Sequence, residues 1–372
     1  MPTRVRSYSK INLGLAIGAP RADGFHSLAT LYQTLALHDV VTVTAAPDCH
    51  TRIVLRCTDP RVPCDARNTA WKMVEKTLAA LGRTARVEIH IQKNLPIQGG
   101  MGAGSANAAA ALIGLEREMN LNLGDSIRLE IAAQVGSDVP LFLQGGSVLG
   151  SDRGQQVEAV DDVALDGKTE IPCVIALPGI GVSTPAAFRD WDRLLAGNSD
   201  PDLHIPPVRD TIEELSRTYA SVVKRQGKRG ASGIFLDSSA FEDSHTPEKQ
   251  QGLSREQSHA SLKADESEIV NDLAENSLLA LVRTGIENDF ETVVFPQYPL
   301  LREIKRQLMG SPQAEDAAIY AALSGSGSAL FGLYRTQTDA SAAQQRLQQQ
   351  GVEAIVTKTM PRARYWSEMF AE

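Results

Sequence analysis

Between Val87 and Lys93 the apolar residues Val87, Ile89 and Ile91 alternate with Glu88, His90 and Gln92, the period of a half-buried strand. Val5 to Leu15 is partly alternating and reads as a strand. The Val-, Ile- and Thr-rich runs Val40 to Ala45 and Thr51 to Cys57 predict a β-hairpin or meander. Helical spacing appears at Trp71, Val74, Leu78 and Leu81, predicting a helix over Asn68 to Leu81. Alanine-rich Ser105 to Leu115 and the segment Ile127 to Val135 predict two more. Beyond Gly145-Gly146 a second unit begins, with a buried strand at Cys173 to Leu177 ended by Pro178-Gly179. Helices follow at Val208 to Val223, Glu268 to Thr284 and Pro299 to Met309, and strands at Ala329 to Leu333 and Val352 to Thr357.

This succession predicts an α+β chain of two domains, 1–158 and 170–360, with a cleft between them. Residues 224–266 are strongly polar and hold too little apolar surface to offset ordering entropy, so they are read as a mobile insertion. Apolar residues make up 42% and charged residues 22% of the 372, the balance of a soluble globular protein. A formal net charge of -8 argues against sequence-independent nucleic-acid binding, which needs a basic face. Cys49, Cys57, Cys64 and Cys173 include no C-x-x-C pair and match no zinc spacing, so reduced structural thiols are expected. Met1 to Gly18 lacks the apolar run of a signal peptide, and no segment approaches the length of a membrane span. The expected setting is cytoplasmic, with no membrane partner and a monomer or weak homodimer as the assembly.

Four clusters carry candidate chemistry. A strand ending near Lys93 runs into Pro96, then Gly99, Gly100, Gly102 and Gly104, then Ser105 and a helix. Glycines permit successive N–H groups to turn inward as an anion nest, and the helix start adds its positive dipole end. Such a turn serves either a phosphate or close helix–strand packing. It is no Walker loop, for Gly104 is followed by Ser-Ala-Asn without lysine, and its placement does not fit a dinucleotide fingerprint. Asp138, in Gly136-Ser137-Asp138-Val139-Pro140, stands in an apolar setting either as a turn cap or as a base. Lys10, in the first strand, either snorkels to solvent or pairs with Asp138 to make an acid/base couple. His26 closes the turn Arg21 to His26 and is either a surface histidine or a ligand-binding group.

Together these clusters resemble the GHMP kinase superfamily. The matching segments are SKINLGL, RADGFHSLATLYQTLALHD, PIQGGMGAGSANAAAAL, Gly136 to Phe142, Gly179 to Thr184, Asn288-Asp289-Phe290-Glu291 and SGSGSALFG. They cover Ser9 to about Asp192 and Asn288 to Phe331. The resemblance implies a ribosomal-protein-like N-terminal domain that binds ATP and carries catalysis, and a ferredoxin-like C-terminal domain that helps bind substrate. It implies ATP with Mg²⁺ as donor, and a cytidine diphosphate-linked methylerythritol as the acceptor, phosphorylated on its 2-hydroxyl. By the same resemblance Asp138 is the catalytic base and Lys10 its partner. Pro96, Gly99, Gly100, Met101, Gly102, Ala103, Gly104 and Ser105 would hold the ATP phosphates, with Lys93 and Asn68 near the adenosine. Phe25, Tyr32 and Phe188 would stack on cytosine and His26 would bond its edge, while Asn12 and Thr184 hold the rest of the acceptor. The chain departs from the pattern at Phe25 (usually Tyr), at Ala103 (usually Gly, so either φ is negative or the nest is shallower) and at Ala106-Asn107 (usually Ser-Asp). The metal ligands therefore stay unassigned.

Overall fold

The computed structural model describes residues 1–97, 99–197, 222, 275–311 and 313–372. Its spine is a long antiparallel hairpin of β1 (Thr3–Pro20) and β2 (His26–Pro47), with register running from Thr3↔Val43 to Pro20↔His26. The strand signal at Val5 to Leu15 was thus the middle of a longer element. β1 crosses three apolar cores in turn: Val5 and Tyr8 lie in one, Ile11 and Leu13 in a second, Leu15 and Ile17 in a third. A strand covered on both faces forces its polar side chains to find partners indoors. Lys10 and Asn12 are such residues, at 3% and 1% exposure.

The first sheet adds β3 (Arg52–Cys57), β4 (Ala85–Gln92), β5 (Ser147–Ser151) and β6 (Gln156–Ala159), in the order β3-β4-β2-β5-β6 with β1 on β2. The expected hairpin between Val40 to Ala45 and Thr51 to Cys57 does not form. β3 pairs parallel with β4, and β4 lies between it and β2. The reason is α1 (Thr69–Ala80), which connects β3 to β4 as a crossover, the connection a parallel pair requires. Asn68 starts α1 by accepting from the Ala70 N–H at 2.9 Å. The central helix α2 (Ala103–Glu118) is buried nearly all round, as its run of alanines permits. At Gly114 a Cβ would stand 2.6 Å from the Val43 side chain, so this glycine sets how closely α2 lies on β2. α3 (Asp125–Val135) and a 3₁₀ turn (Pro140–Leu143) complete this half.

The second sheet is antiparallel throughout, with β7 (Pro172–Leu177), β8 (Tyr320–Leu323), β9 (Leu330–Leu333) and β10 (Glu353–Lys358) in the order β10-β7-β9-β8. Numbered within the sheet this is 4-1-3-2, a ferredoxin-like arrangement. The described helices of this half are α4 (Thr184–Ala196), α5 (Ser277–Arg283), α6 (Phe290–Gln297), α7 (Pro299–Met309) and α8 (Gln337–Gln348). The last segment, with α9 (Arg362–Ser367), returns to the first sheet: Val5 bridges Phe370, and Tyr365 donates to the Phe142 carbonyl at 2.6 Å. The helix expected over 208–223, apart from residue 222, and the polar segment 224–266 lie outside the described residues. Among the described residues no helix is long and apolar enough to cross a membrane.

Asp289 joins the halves by accepting the Ile17 N–H at 2.7 Å. Burial, only partly offset by that bond, pushes its carboxyl from 3.8 up to about 6. The folded chain therefore holds this proton more tightly than the unfolded one, so stability falls as pH rises from about 4 to about 6. Asp289→Asn keeps an acceptor for Ile17 and should remove that slope. It should raise unfolding free energy at neutral pH by on the order of 2 kcal/mol, measured by urea titration at several pH values; an unchanged slope would refute the assignment.

Candidate active site

The glycine segment folds as a nest. Gly100 and Gly102 take φ of 71° and 70°, and Gly102 is the N-cap of α2 without a side-chain cap bond. The helix starts at Ala103, two residues before the Ser105 expected from sequence, because glycine in the left-handed region ends the loop early. Ala103 is accordingly helical, with the negative φ its side chain requires. The first amides of α2 thus face a cavity of about 400 Å³, whose walls include Arg61, Asn68, Lys93, Pro96, Gly100 and Ser105. Lys93 and Asn68 do border it, but both side chains already have protein partners. Lys93 Nζ lies 2.8 Å from Asp39 Oδ2, and Asn68 donates to the Pro63 carbonyl at 2.8 Å. Asp39 is fully buried and also accepts the Asn94 and Leu95 N–H groups at 2.7 Å each.

A second cavity of about 570 Å³ shares Gly100 and Gly102 with the first. Lys10, Asn12, Tyr32 and Asp138 meet on its wall. Asp138 Oδ2 stands 3.3 Å from Lys10 Nζ, and Tyr32 donates its hydroxyl to Oδ1 at 3.1 Å. Lys10 donates to Asn12 Oδ1 at 2.7 Å, and Asn12 donates to Thr30 at 2.8 Å, which fixes the carboxamide with its oxygen toward the lysine. Of this pair Lys10 is sealed in, while Asp138 is 32% exposed and faces the cavity. Burial, then the charge and hydrogen bond of Asp138, push the Tyr32 hydroxyl well above its ordinary range, so it remains a donor. The carboxylate is thus held by a cation and a hydroxyl, with room for an alcohol to bring it a proton. Neither the cap reading of Asp138 nor the snorkelling reading of Lys10 describes what is found.

The far end of this cavity is aromatic. His26 stacks on Phe188 with ring centres 4.7 Å apart, and Phe188 meets Phe290 edge-on at 5.0 Å. His26 Nε2 is 2.7 Å from Asp192 Oδ1. Phe25 is half exposed, with the Arg153 guanidinium 4.7 Å from its ring centre. Tyr32, expected among the stacking rings, is instead buried with its hydroxyl on Asp138. Thr184 Oγ1 meets Ser326 Oγ at 2.7 Å, joining α4 to the loop between β8 and β9. Three participants were not singled out from sequence. Asp192 stands one helical turn after Phe188, a spacing that could have paired them. Phe290 lay in the matching segment Asn288 to Glu291 without a role assigned to it, and Arg153, in a polar turn, carried no comparable signal.

Among the described residues no three His, Cys, Asp or Glu side chains are grouped to hold a metal ion. Asn107, the position expected to matter for one, accepts from Ser7 at 2.7 Å and donates to Asp39 at 3.2 Å. Ala106 offers no ligand atom. Among the described residues, then, no side-chain cluster could hold a metal ion without oxygens from a bound phosphate.

Comparison with known proteins gives the class first. The GHMP kinases N terminal domain matches residues 68–146, and the GHMP kinases C terminal domain matches 268–353. A solved 4-(cytidine 5'-diphospho)-2C-methyl-D-erythritol kinase superposes with a TM-score of 0.58 over 96% of this chain and 98% of that one, at 22% identity. A homoserine kinase from Cytophaga hutchinsonii gives 0.56 over 96% of each chain at 16% identity. Fold and domain matches alike define a GHMP kinase architecture of two α+β domains.

A 4-diphosphocytidyl-2-C-methyl-D-erythritol kinase of Streptomyces coelicolor is 39% identical over 228 residues, 60% of this chain and 72% of the relative. One from Rhodococcus jostii is 41% identical over 206 residues, 55% of this chain and 64% of the relative. One from a Synechococcus strain is 29% identical over 95% of this chain and 92% of the relative. The chain belongs to the 4-diphosphocytidyl-2-C-methyl-D-erythritol kinase family. Its match spans less than two thirds of the first curated relatives, 64% of the Rhodococcus protein and 66% of a Nocardioides one.

Proposed function

We propose that this chain transfers the γ-phosphoryl group of ATP to the 2-hydroxyl of 4-diphosphocytidyl-2-C-methyl-D-erythritol, in the non-mevalonate route to isoprenoids. The observation that carries the reading is the sharing of Gly100 and Gly102 by two cavities, one at the start of α2 and one holding Asp138 and Lys10. A donor phosphate on the first side and an alcohol on the second would meet there. The loop amides and the positive end of α2 would take up charge spreading over the transferred oxygens. Asp138 would orient the hydroxyl and accept its proton late, with Lys10 holding the carboxylate in place and Tyr32 fixing its rotamer. Mg²⁺ would accompany the ATP phosphates, with no step assigned to a protein ligand. Residues 1–158 would supply the donor side and catalysis, and 170–360 the rest of the acceptor wall.

The aromatic end suits cytosine. Asp192, whose carboxylate can only accept, favours the His26 proton on Nε2, and in the neutral ring Nδ1 would then be left as an acceptor for the ligand. Cytosine presents an amine at its edge where uracil presents a carbonyl, and the Phe25 and Phe188 rings offer faces for stacking. Calorimetry with CDP and UDP should show CDP binding tighter, and His26→Ala should weaken CDP by about tenfold, one lost hydrogen bond and stack. Equal affinity for CDP and UDP, or displacement of CDP by homoserine or mevalonate, would contradict the acceptor assignment.

A further inference from the structure

Apart from Phe290, the turn Asn288 to Glu291 has no part in the roles above, yet it touches three parts of the site. Leu15 donates to the Glu287 carbonyl and Asp289 donates to the Leu15 carbonyl, each at 2.9 Å, fixing β1 just beyond Lys10 and Asn12. Phe290 braces Phe188, the ring on which His26 stacks. Asn288, 2% exposed, donates to the Leu323 carbonyl at 2.7 Å and the Gly325 carbonyl at 2.8 Å. Its own oxygen accepts from the Phe290 N–H at 3.1 Å. Glu291 Oε1 takes the Leu323 N–H at 2.8 Å.

Leu323 to Gly325 opens the last glycine loop, which closes on the phosphate loop. Ser324 donates to the Gly100 carbonyl at 3.1 Å, and a Cβ on Gly325 would lie 3.6 Å from Lys10 Nζ. A carboxamide alone among side chains of this size offers two donors and one acceptor in a plane, and all three are used here. Removing it takes the carboxamide donor from the buried Leu323 carbonyl and the partly buried Gly325 carbonyl, and a carboxylate would set charge against both.

We propose that Asn288 is a positioning residue for phosphoryl transfer: it fixes the last glycine loop against Gly100 and Lys10, so that turnover depends on it more than the binding of either substrate. The inference rests on reading the site as a phosphoryl-transfer centre, whichever alcohol it serves. Loosening reacting groups by about 1 Å costs on the order of 100-fold in rate.

The test compares wild type with Asn288→Ser, Asn288→Ala and Asn288→Asp. It reads kcat with ATP and the cytidyl alcohol, calorimetric Kd for CDP and for a non-hydrolysable ATP analogue, melting temperature, and amide hydrogen exchange across Ser324 to Ser328. Expected are a kcat loss of about 100-fold for alanine, less for serine and more for aspartate, with both Kd values within about threefold of wild type. Exchange across Ser324 to Ser328 should rise at least about tenfold while the two sheets stay protected. The proposal is overturned by kcat near wild type, or by kcat, both affinities and melting temperature falling together. Should wild type turn over no cytidyl alcohol, the functional reading fails by itself. The exchange arm still decides the loop's dependence on Asn288, and unchanged exchange overturns the proposal.

Discussion

Asp138→Asn should lower kcat by about a thousandfold while ATP affinity stays within about threefold, because the substitution removes a base and leaves the phosphate loop untouched. The amide is nearly isosteric and keeps an acceptor for the Tyr32 hydroxyl, now 3.1 Å from Oδ1. It loses the negative charge facing Lys10, whose side chain is only 3% exposed and has no comparable exit to water. The variant should therefore also lose some stability, since a buried ammonium is left with neutral acceptors only. Stopped-time ADP assays and calorimetry with an ATP analogue separate the two effects. Turnover within tenfold of wild type would remove Asp138 from the role of base.

Gly100→Ala should abolish most activity by parting the two glycine loops. Gly100 has φ of 71°, where an L side chain costs about 1–2 kcal/mol before any contact is considered. Its Cβ would stand 2.0 Å from the Ser324 carbonyl oxygen, a backbone atom that cannot rotate away. Both loops must then shift by more than the tolerance of in-line transfer, and activity should fall at least about 100-fold. Because Gly100 belongs to both cavities, ATP-analogue and CDP affinities should weaken together, which distinguishes this variant from Asp138→Asn. A fully active, fully stable Gly100→Ala would mean that the loops do not meet as described.

Periodicity carried much of the fold because several elements show one face to solvent. β4 is the clear case, alternating buried and exposed along Ala85–Gln92. α7 matched its expected bounds of Pro299 to Met309, opened by a proline and closed by Gly310. The long hairpin was harder to see, because β1 is covered on both faces for most of its length and its partial alternation does not mark its ends. The parallel pairing of β3 with β4 was hidden for another reason: adjacent β-rich runs suggest a hairpin, and only the intervening α1 argues for a crossover. The glycine segment and Asp138 could be found as local motifs. Their meeting with Lys10 could only be framed as an alternative, since the three are far apart in the chain and join through the tertiary fold. Tyr32 shows the limit of residue type as a guide, for its hydroxyl bond to Asp138 is a tertiary contact that no aromatic motif displays. The carboxamide of Asn288 shows another, since its partners are backbone carbonyls that no sequence pattern displays.

The most direct measurement incubates the purified chain with ATP, Mg²⁺ and 4-diphosphocytidyl-2-C-methyl-D-erythritol, following ADP release and phosphorus NMR of the product together. The account predicts one ADP per new phosphomonoester, placed on the 2-hydroxyl, with none formed by Asp138→Asn in the same time. No phosphorylation of this alcohol alongside ready phosphorylation of homoserine or mevalonate would contradict it.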